Sequence, residues 1–239
     1  MLEVKNIAYY YKRKGFRIHD VNLKLEEGYF AVLLGNNGAG KTTLLRTIYK
    51  MYQPKRGEIL WNGEKITNRN LHQYRREAAY IEDGNWCMEW QTVLENVEML
   101  KDIYDTFNKT AFYEYLKAFD FGENLMNKKY EDLSKGEQMK FQVAFVLARH
   151  PKLVIMDEPF PNLDPVVKTD LIEVLHQNVM NHEMSVLLST HLVEDITDLT
   201  DYIGIMDEGK MKAFGDREEI LSLYHSDNLR EILRQHAAD

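Results

Sequence analysis

A chain of 239 residues can hold one large α/β domain, or a core with a subdomain, and can bury a sizeable interior. Its 44% hydrophobic content is ordinary for a globular protein, and the formal net charge of −8 argues mildly against nucleic acid as the main partner. No segment approaches the roughly 20 apolar residues of a spanning helix, and the lone Cys87 excludes an internal disulfide or a cysteine-built metal site, so a cytoplasmic setting is expected.

Met1-Leu2-Glu3-Val4-Lys5 reads as a strand and not as a signal peptide. Leu2 and Val4 alternate with polar residues, Lys12-Arg13-Lys14-Gly15 turns, and Val21, Leu23 and Leu25 alternate again, so residues 2–34 are expected to be antiparallel. Glu26-Glu27-Gly28 leads into an apolar run over 29–34 that reads as a buried strand. After it, Leu44, Leu45, Ile48 and Met51 recur at helical spacing, and the helix is expected to stop near Pro54 and Gly57. Asn62-Gly63 between residues 58–61 and 64–66 is a two-residue hairpin signal.

From about Trp86 to His150 the pattern turns helical. Thr92 and Glu95 form a capping box, and Asn108 caps a second helix that places Phe112, Tyr115, Leu116 and Phe119 on one face before Gly122. Ser134 and Glu137 form another box, opening a helix with Met139, Val143, Val146 and Leu147. Beyond Pro151, strands are expected at 153–156, 186–188 and 202–206. Asp164 and Pro165 sit at the N-cap and first position of a helix between the first two, and Asp216 with Glu219 starts a last one. Strands alternating with helices around a glycine loop imply a mostly parallel sheet.

Gly35-Asn36-Asn37-Gly38-Ala39-Gly40-Lys41-Thr42 lies between the buried strand and the first helix. Such a turn aims successive backbone N–H groups inward around a phosphate, with the partial positive charge of a helix N-terminus behind them. Lys41 adds a full charge for the outer phosphates, and Thr42 offers Mg²⁺ a hydroxyl, so the chain is read as binding a nucleoside triphosphate. Asp157 and Glu158 end a buried strand; Asp157 would hold Mg²⁺, and Glu158, facing the other way, would orient or deprotonate the attacking water.

These motifs, in this order, resemble the nucleotide-binding subunit of an ATP-binding cassette (ABC) transporter over nearly the full chain. Leu133-Ser134-Lys135-Gly136-Glu137-Gln138 resembles the family's signature loop, Pro161-Asn162-Leu163-Asp164 its D-loop, and Ser189-Thr190-His191 its switch histidine. The resemblance implies an α/β fold: a RecA-like P-loop ATPase core (1–85 and 151–215 with an N-terminal antiparallel β subdomain), an inserted α-helical subdomain (86–150) and a helical tail (216–239). Tyr11 would stack on adenine, residues 35–43, Thr43 included, would hold the phosphates of ATP and Mg²⁺, and His191 would sense the γ-phosphate. Ser134, Gly136 and Glu137 would serve the nucleotide of a second ABC subunit in a head-to-tail pair.

Two motifs depart from the family pattern. Asp83 stands where the family carries glutamine, and is read as a metal and water contact; Lys135 and Glu137 replace the usual Gly and Gln of the signature. Trp86, Met88 and Trp90 either fill the helical core or build the groove that receives the permease. His19, His72, His150, His176 and His182 show no ligand spacing. The implied function is an ATP hydrolase driving a separate transmembrane permease from the inner face of the membrane, with export of a drug, peptide or lipid-like substrate favoured by the variant signature and compact length. The rivals are a soluble ABC protein acting in translation or on DNA, and an ABC module with weakened catalysis.

Overall fold

The computed structural model describes residues 1–11, 15, 17–82, 86–161, 163–181, 184–191, 200–225 and 231. A four-stranded antiparallel sheet is built from β1 (Leu2–Tyr10), β2 (Arg17–Leu25), β4 (Arg56–Trp61) and β5 (Glu64–Lys65), in the order β2-β1-β4-β5. Beside it runs a six-stranded sheet of β3 (Phe30–Leu34), β6 (Ala78–Glu82), β7 (Leu153–Asp157), β8 (Ser185–Thr190), β9 (Tyr202–Asp207) and β10 (Lys210–Asp216), in the order β10-β9-β3-β8-β7-β6. All its pairings are parallel except β9 with β10. The helices are α1 (Lys41–Ile48), α2 (Leu71–Glu77), α3 (Val93–Lys101), α4 (Lys109–Ala118), α5 (Lys135–Leu147), α6 (Pro165–Met180) and α7 (Arg217–Leu223).

Residue chemistry accounts for which strands take which pairing. β2 alternates buried Ile18, Val21, Leu23 and Leu25 with exposed neighbours, as a sheet with one wet face requires. In β3, β7 and β8 every residue is buried. Period-two geometry sends Phe30, Val32 and Leu34 into the apolar cluster of α3 to α6, while Ala31 and Leu33 join α1 and the antiparallel sheet. The expectation that residues 2–34 are all antiparallel therefore fails at β3, which pairs in parallel with β8 and β9. An apolar run without alternation needs cover on both faces, and a hairpin partner would leave one bare.

The first helix also stops earlier than expected, at Ile48; Lys50 adopts φ 63° and Met51 lies outside it, 45% exposed. The Asn62-Gly63 hairpin forms with both residues at positive φ. α3, α4 and α5 open on Thr92, Asn108 and Ser134, each accepting a backbone N–H from three residues on, and the boxes of Thr92 and Ser134 are closed by Glu95 and Glu137. These helices enclose Phe112, Phe119, Phe141 and Phe145. Parallel pairing of β3, β7 and β8 carries residues 35, 158 and 191 to one edge of the sheet, beyond the carboxyl ends of the strands. No helix of the described residues is long and apolar enough to cross a membrane.

Candidate nucleotide site

The glycine loop turns directly from β3 into α1. A side chain on Gly35 would overlap the carbonyl oxygen of Met206, and Gly40, the N-cap of α1, sits at φ 107°. Only glycine takes both places without strain. Ala39 N–H donates to Asn36 O at 3.0 Å, and Gly209 N–H donates to Ala39 O at 2.9 Å, tying the loop to the β9–β10 turn. Gly209 O in turn accepts His19 N–H of β2 at 2.9 Å. No side chain caps α1 and no acidic residue lies in its first turn, so its N-terminus keeps its positive end for an anion. Asn36, Asn37 and Gly38 form the exposed rim of the loop.

Lys41 Nζ donates to the carbonyls of Gly35 at 2.7 Å and Asn36 at 3.3 Å, and lies 3.1 Å from Glu158 Oε1. The other oxygen of Glu158 lies 2.7 Å from His191 Nδ1. Glu158 is held at φ 47°, and its N–H donates to both the carbonyl and the hydroxyl of Ser189. Asp157, which ends β7 and is buried, has other partners than the Glu158 carboxylate. Asp157 Oδ1 accepts from Ser189 Oγ at 2.7 Å, and Oδ2 from the Tyr80 hydroxyl at 3.3 Å. Burial, and then the charge of Asp157, raise Tyr80 above the usual phenol range, so it stays a donor.

Tyr11 is 51% exposed, with its hydroxyl 3.3 Å from Thr43 Oγ1 and its ring edge-on to Tyr52. Tyr52 stacks on Tyr9 and accepts a hydrogen bond from Arg46, which pairs with Glu82 at 2.9 Å. Lys41 of the loop, Glu158 and His191 are thus linked by direct contacts, and Asp157 joins them through Ser189. Ser134 and Glu137 bond to each other, and Gly136 faces Val167 so closely that an added side chain would press on it. Among the described residues these three make no hydrogen bond or ion pair to residues 35–43. Asp83 and Asn162 lie outside the described residues.

The alternatives for the tryptophan segment divide by residue. Trp86 donates to Gln142 and packs on Phe141 and Phe145, whereas Met88 and Trp90 are 38% and 66% exposed. Sequence reasoning gave no role to Tyr80, Tyr52 or Ser189 as partners of the site. The one local signal is that Ser189 interrupts an apolar strand at its buried end.

The donor set suits a Mg-nucleotide. Magnesium is usually held by one or two carboxylates together with phosphates and waters; Thr42 in the first turn of α1 and Asp157 at the end of β7 offer one hydroxyl and one carboxylate. Among the described residues there is no cluster of three or more His, Cys, Asp or Glu that could hold a metal without such help.

Comparison with known proteins gives the chain's family and fold. The choline transport ATP-binding protein OpuBA of Bacillus subtilis is 29% identical over 224 residues; the match takes in 92% of this chain and 59% of OpuBA, so the chain spans less than two thirds of that relative. The phosphonates import ATP-binding protein PhnC of Lactobacillus acidophilus is 31% identical over 81% of this chain and 80% of its own length. Among solved structures, an ATP-binding subunit of an ABC transporter superposes with a TM-score of 0.86 at 27% identity, covering 99% of both chains. The ATP-binding cassette MJ0796, described as a dimer in a post-hydrolysis state with ADP and Pi, superposes at 0.79 with 25% identity, covering 90% of this chain and 98% of its own. The family profile described as ABC transporter matches residues 18–161, more than half the sequence and the stretch that holds the phosphate loop and both acidic residues; this chain belongs to the ABC transporter family.

Proposed function

We propose that the chain binds Mg-ATP at residues 35–43 and hydrolyses it to drive a separate transmembrane permease subunit. The observation that carries this reading is the convergence of Lys41 and His191 on the two oxygens of Glu158, at 3.1 and 2.7 Å, beside the phosphate loop. Backbone N–H groups and the N-terminus of α1 receive phosphate oxygens, and Tyr11 stacks on adenine. A triphosphate arriving at Lys41 competes with Glu158 for the ammonium. The carboxylate so released orients and deprotonates the attacking water, while His191 holds its second oxygen and senses the γ-phosphate. Thr42 and Asp157 would hold Mg²⁺, with Asp83 as a further ligand through water; the ion would neutralise charge developing on the phosphates. Ser189 and Tyr80 keep Asp157 aimed.

The start of α5, with Ser134, Gly136 and Glu137, serves the nucleotide of a partner ATPase subunit. The dimeric relative supports this pairing, as does the absence, among the described residues, of a bond between these residues and their own chain's loop. On this reading 1–85 and 151–215 form the ATPase core with its β subdomain, 86–150 the helical subdomain and 216–239 a tail. The chain lies at the inner face of the membrane through its permease, with Met88 and Trp90 on the coupling surface. Export rests on the variant signature and compact length alone, and the phosphonate-importing relative runs against it.

Glu158→Gln should give an ATP-stabilised dimer on size exclusion and lose hydrolysis. A variant that stays monomeric with Mg-ATP under all conditions overturns the paired site. Nucleotide-dependent transport by vesicles holding the reconstituted permease, assayed in both directions, decides between export and import.

A further inference from the structure

A second cavity, of about 660 Å³, opens at the amino ends of β6 and β7, the sheet edge opposite the nucleotide site. It lies where the helical segment meets the core, lined by Trp61, His72, Arg76, Arg149, His150 and Lys152 among others. Its volume is that of a small-molecule pocket, far more than a bare ion needs. Glu27 and Glu77 also line it, but Glu77 accepts the Trp61 indole N–H, and Arg76 is paired with Asp105.

Arg149 sets this cavity apart. Its residue is 3% exposed, its guanidinium lies 3.7 Å over the Tyr104 ring, and one terminal nitrogen donates to Arg75 O at 3.0 Å. Its Nε is buried without a hydrogen-bond partner, and no carboxylate of the described residues pairs with it. Burial lowers its affinity for the proton, which marks a charge not fully compensated by its surroundings. Buried cations are ordinarily paired, and this chain has 38 acidic residues from which to pair one. A guanidinium presents parallel N–H donors that match phosphate oxygens, and Lys152 and the imidazoles of His72 and His150 add cationic or donor groups on the same wall.

We propose that this cavity binds a small organic phosphate, with the phosphate group on Arg149, and that the bound anion braces the seam between the helical segment and the core.

The test uses inorganic phosphate as probe in the full chain, by calorimetry, with the nucleotide site filled by saturating Mg-ADP. Wild type should show one remaining phosphate site that acetate does not fill, and Lys41→Ala should retain it. Arg149→Met should weaken it roughly tenfold or more, while leaving the ligand-free melting temperature unchanged or higher, because a buried uncompensated charge is removed. If Arg149→Met does not fold, the exposed Lys152→Glu replaces it, with the same expected loss. Phosphate binding unchanged in the variant, acetate binding as tightly as phosphate, or heat seen only at concentrations that mark an adventitious ion only, would each overturn the proposal.

Discussion

Removing the charge of Glu158 tests the competition between carboxylate and triphosphate most directly. In Glu158→Gln, Lys41 loses its one carboxylate partner among the described residues while keeping the carbonyls of Gly35 and Asn36. The side chains are 6% and 24% exposed, so the pair is weakly screened. A charge-assisted hydrogen bond of this kind contributes roughly 1.5 to 3 kcal/mol, of which the glutamine amide oxygen keeps a part. A net loss of about 1.4 kcal/mol in the nucleotide-free state corresponds to tenfold tighter Mg-ATP binding, since the incoming phosphates no longer displace a charged competitor. The same loss should lower the melting temperature of the free protein by roughly 3 to 6 °C. Hydrolysis should fall by about 10² to 10⁴ through loss of the base. Calorimetric titration with Mg-ATP, a thermal melt without nucleotide and a phosphate-release assay read the three effects separately. Tighter binding together with lost turnover is the signature. Binding that weakens, or turnover near wild type, would refute the assignment of Glu158 as both competitor and base.

Tyr80→Phe removes the donor to Asp157 Oδ2 without changing shape, so the Mg²⁺ concentration needed for half-maximal nucleotide binding should rise several-fold; affinity measured in EDTA should not move. Trp86→Ala should destabilise the fold by about 3 kcal/mol in denaturant melts, because its ring packs on Phe141 and Phe145. Trp90→Ala should stay within about 0.5 kcal/mol yet lower permease-stimulated hydrolysis. Burial pushes the Cys87 thiol from 9.0 up to about 12, so the folded chain should resist thiol reagents at neutral pH. Because the native state keeps this proton longer than the unfolded one, the associated stability is intact below pH 9 and is lost as pH rises toward 12. Chemical denaturation across that range, compared with Cys87→Ala, checks the sign.

Features written in a few adjacent residues were legible in advance. Thr92 with Glu95, Ser134 with Glu137 and Asn62-Gly63 each specify a cap or turn through bonds spanning three residues or fewer, and the phosphate loop announces itself between strand and helix. The strand partners of β3 were not legible. Its five buried residues state that both faces are covered, but the choice of β8 and β9 depends on chain more than 150 residues away. Shorter but still non-local separations hid the supports of the site. Tyr80 meets Asp157, Ser189 meets both acidic residues, and Arg46 meets Glu82 across separations that no periodicity encodes. The early end of α1 was missed because Met51 continues the apolar spacing, while Lys50 has already left the helix through a left-handed backbone conformation that its side chain does not advertise.

The peptide of Gly209 is a mechanical strut between two parts of the molecule that share no covalent neighbour. One end grips the phosphate loop through Ala39 and the other grips β2 through His19. A Cβ at this position would collide with the carbonyl of Arg17, so the strut is kept short by the lack of any side chain. The loop backbone at Ala39 and β2 at His19 are therefore held at a fixed spacing by one residue. The glycine loop thus takes one of its backbone anchors from a turn about 170 residues further along the chain.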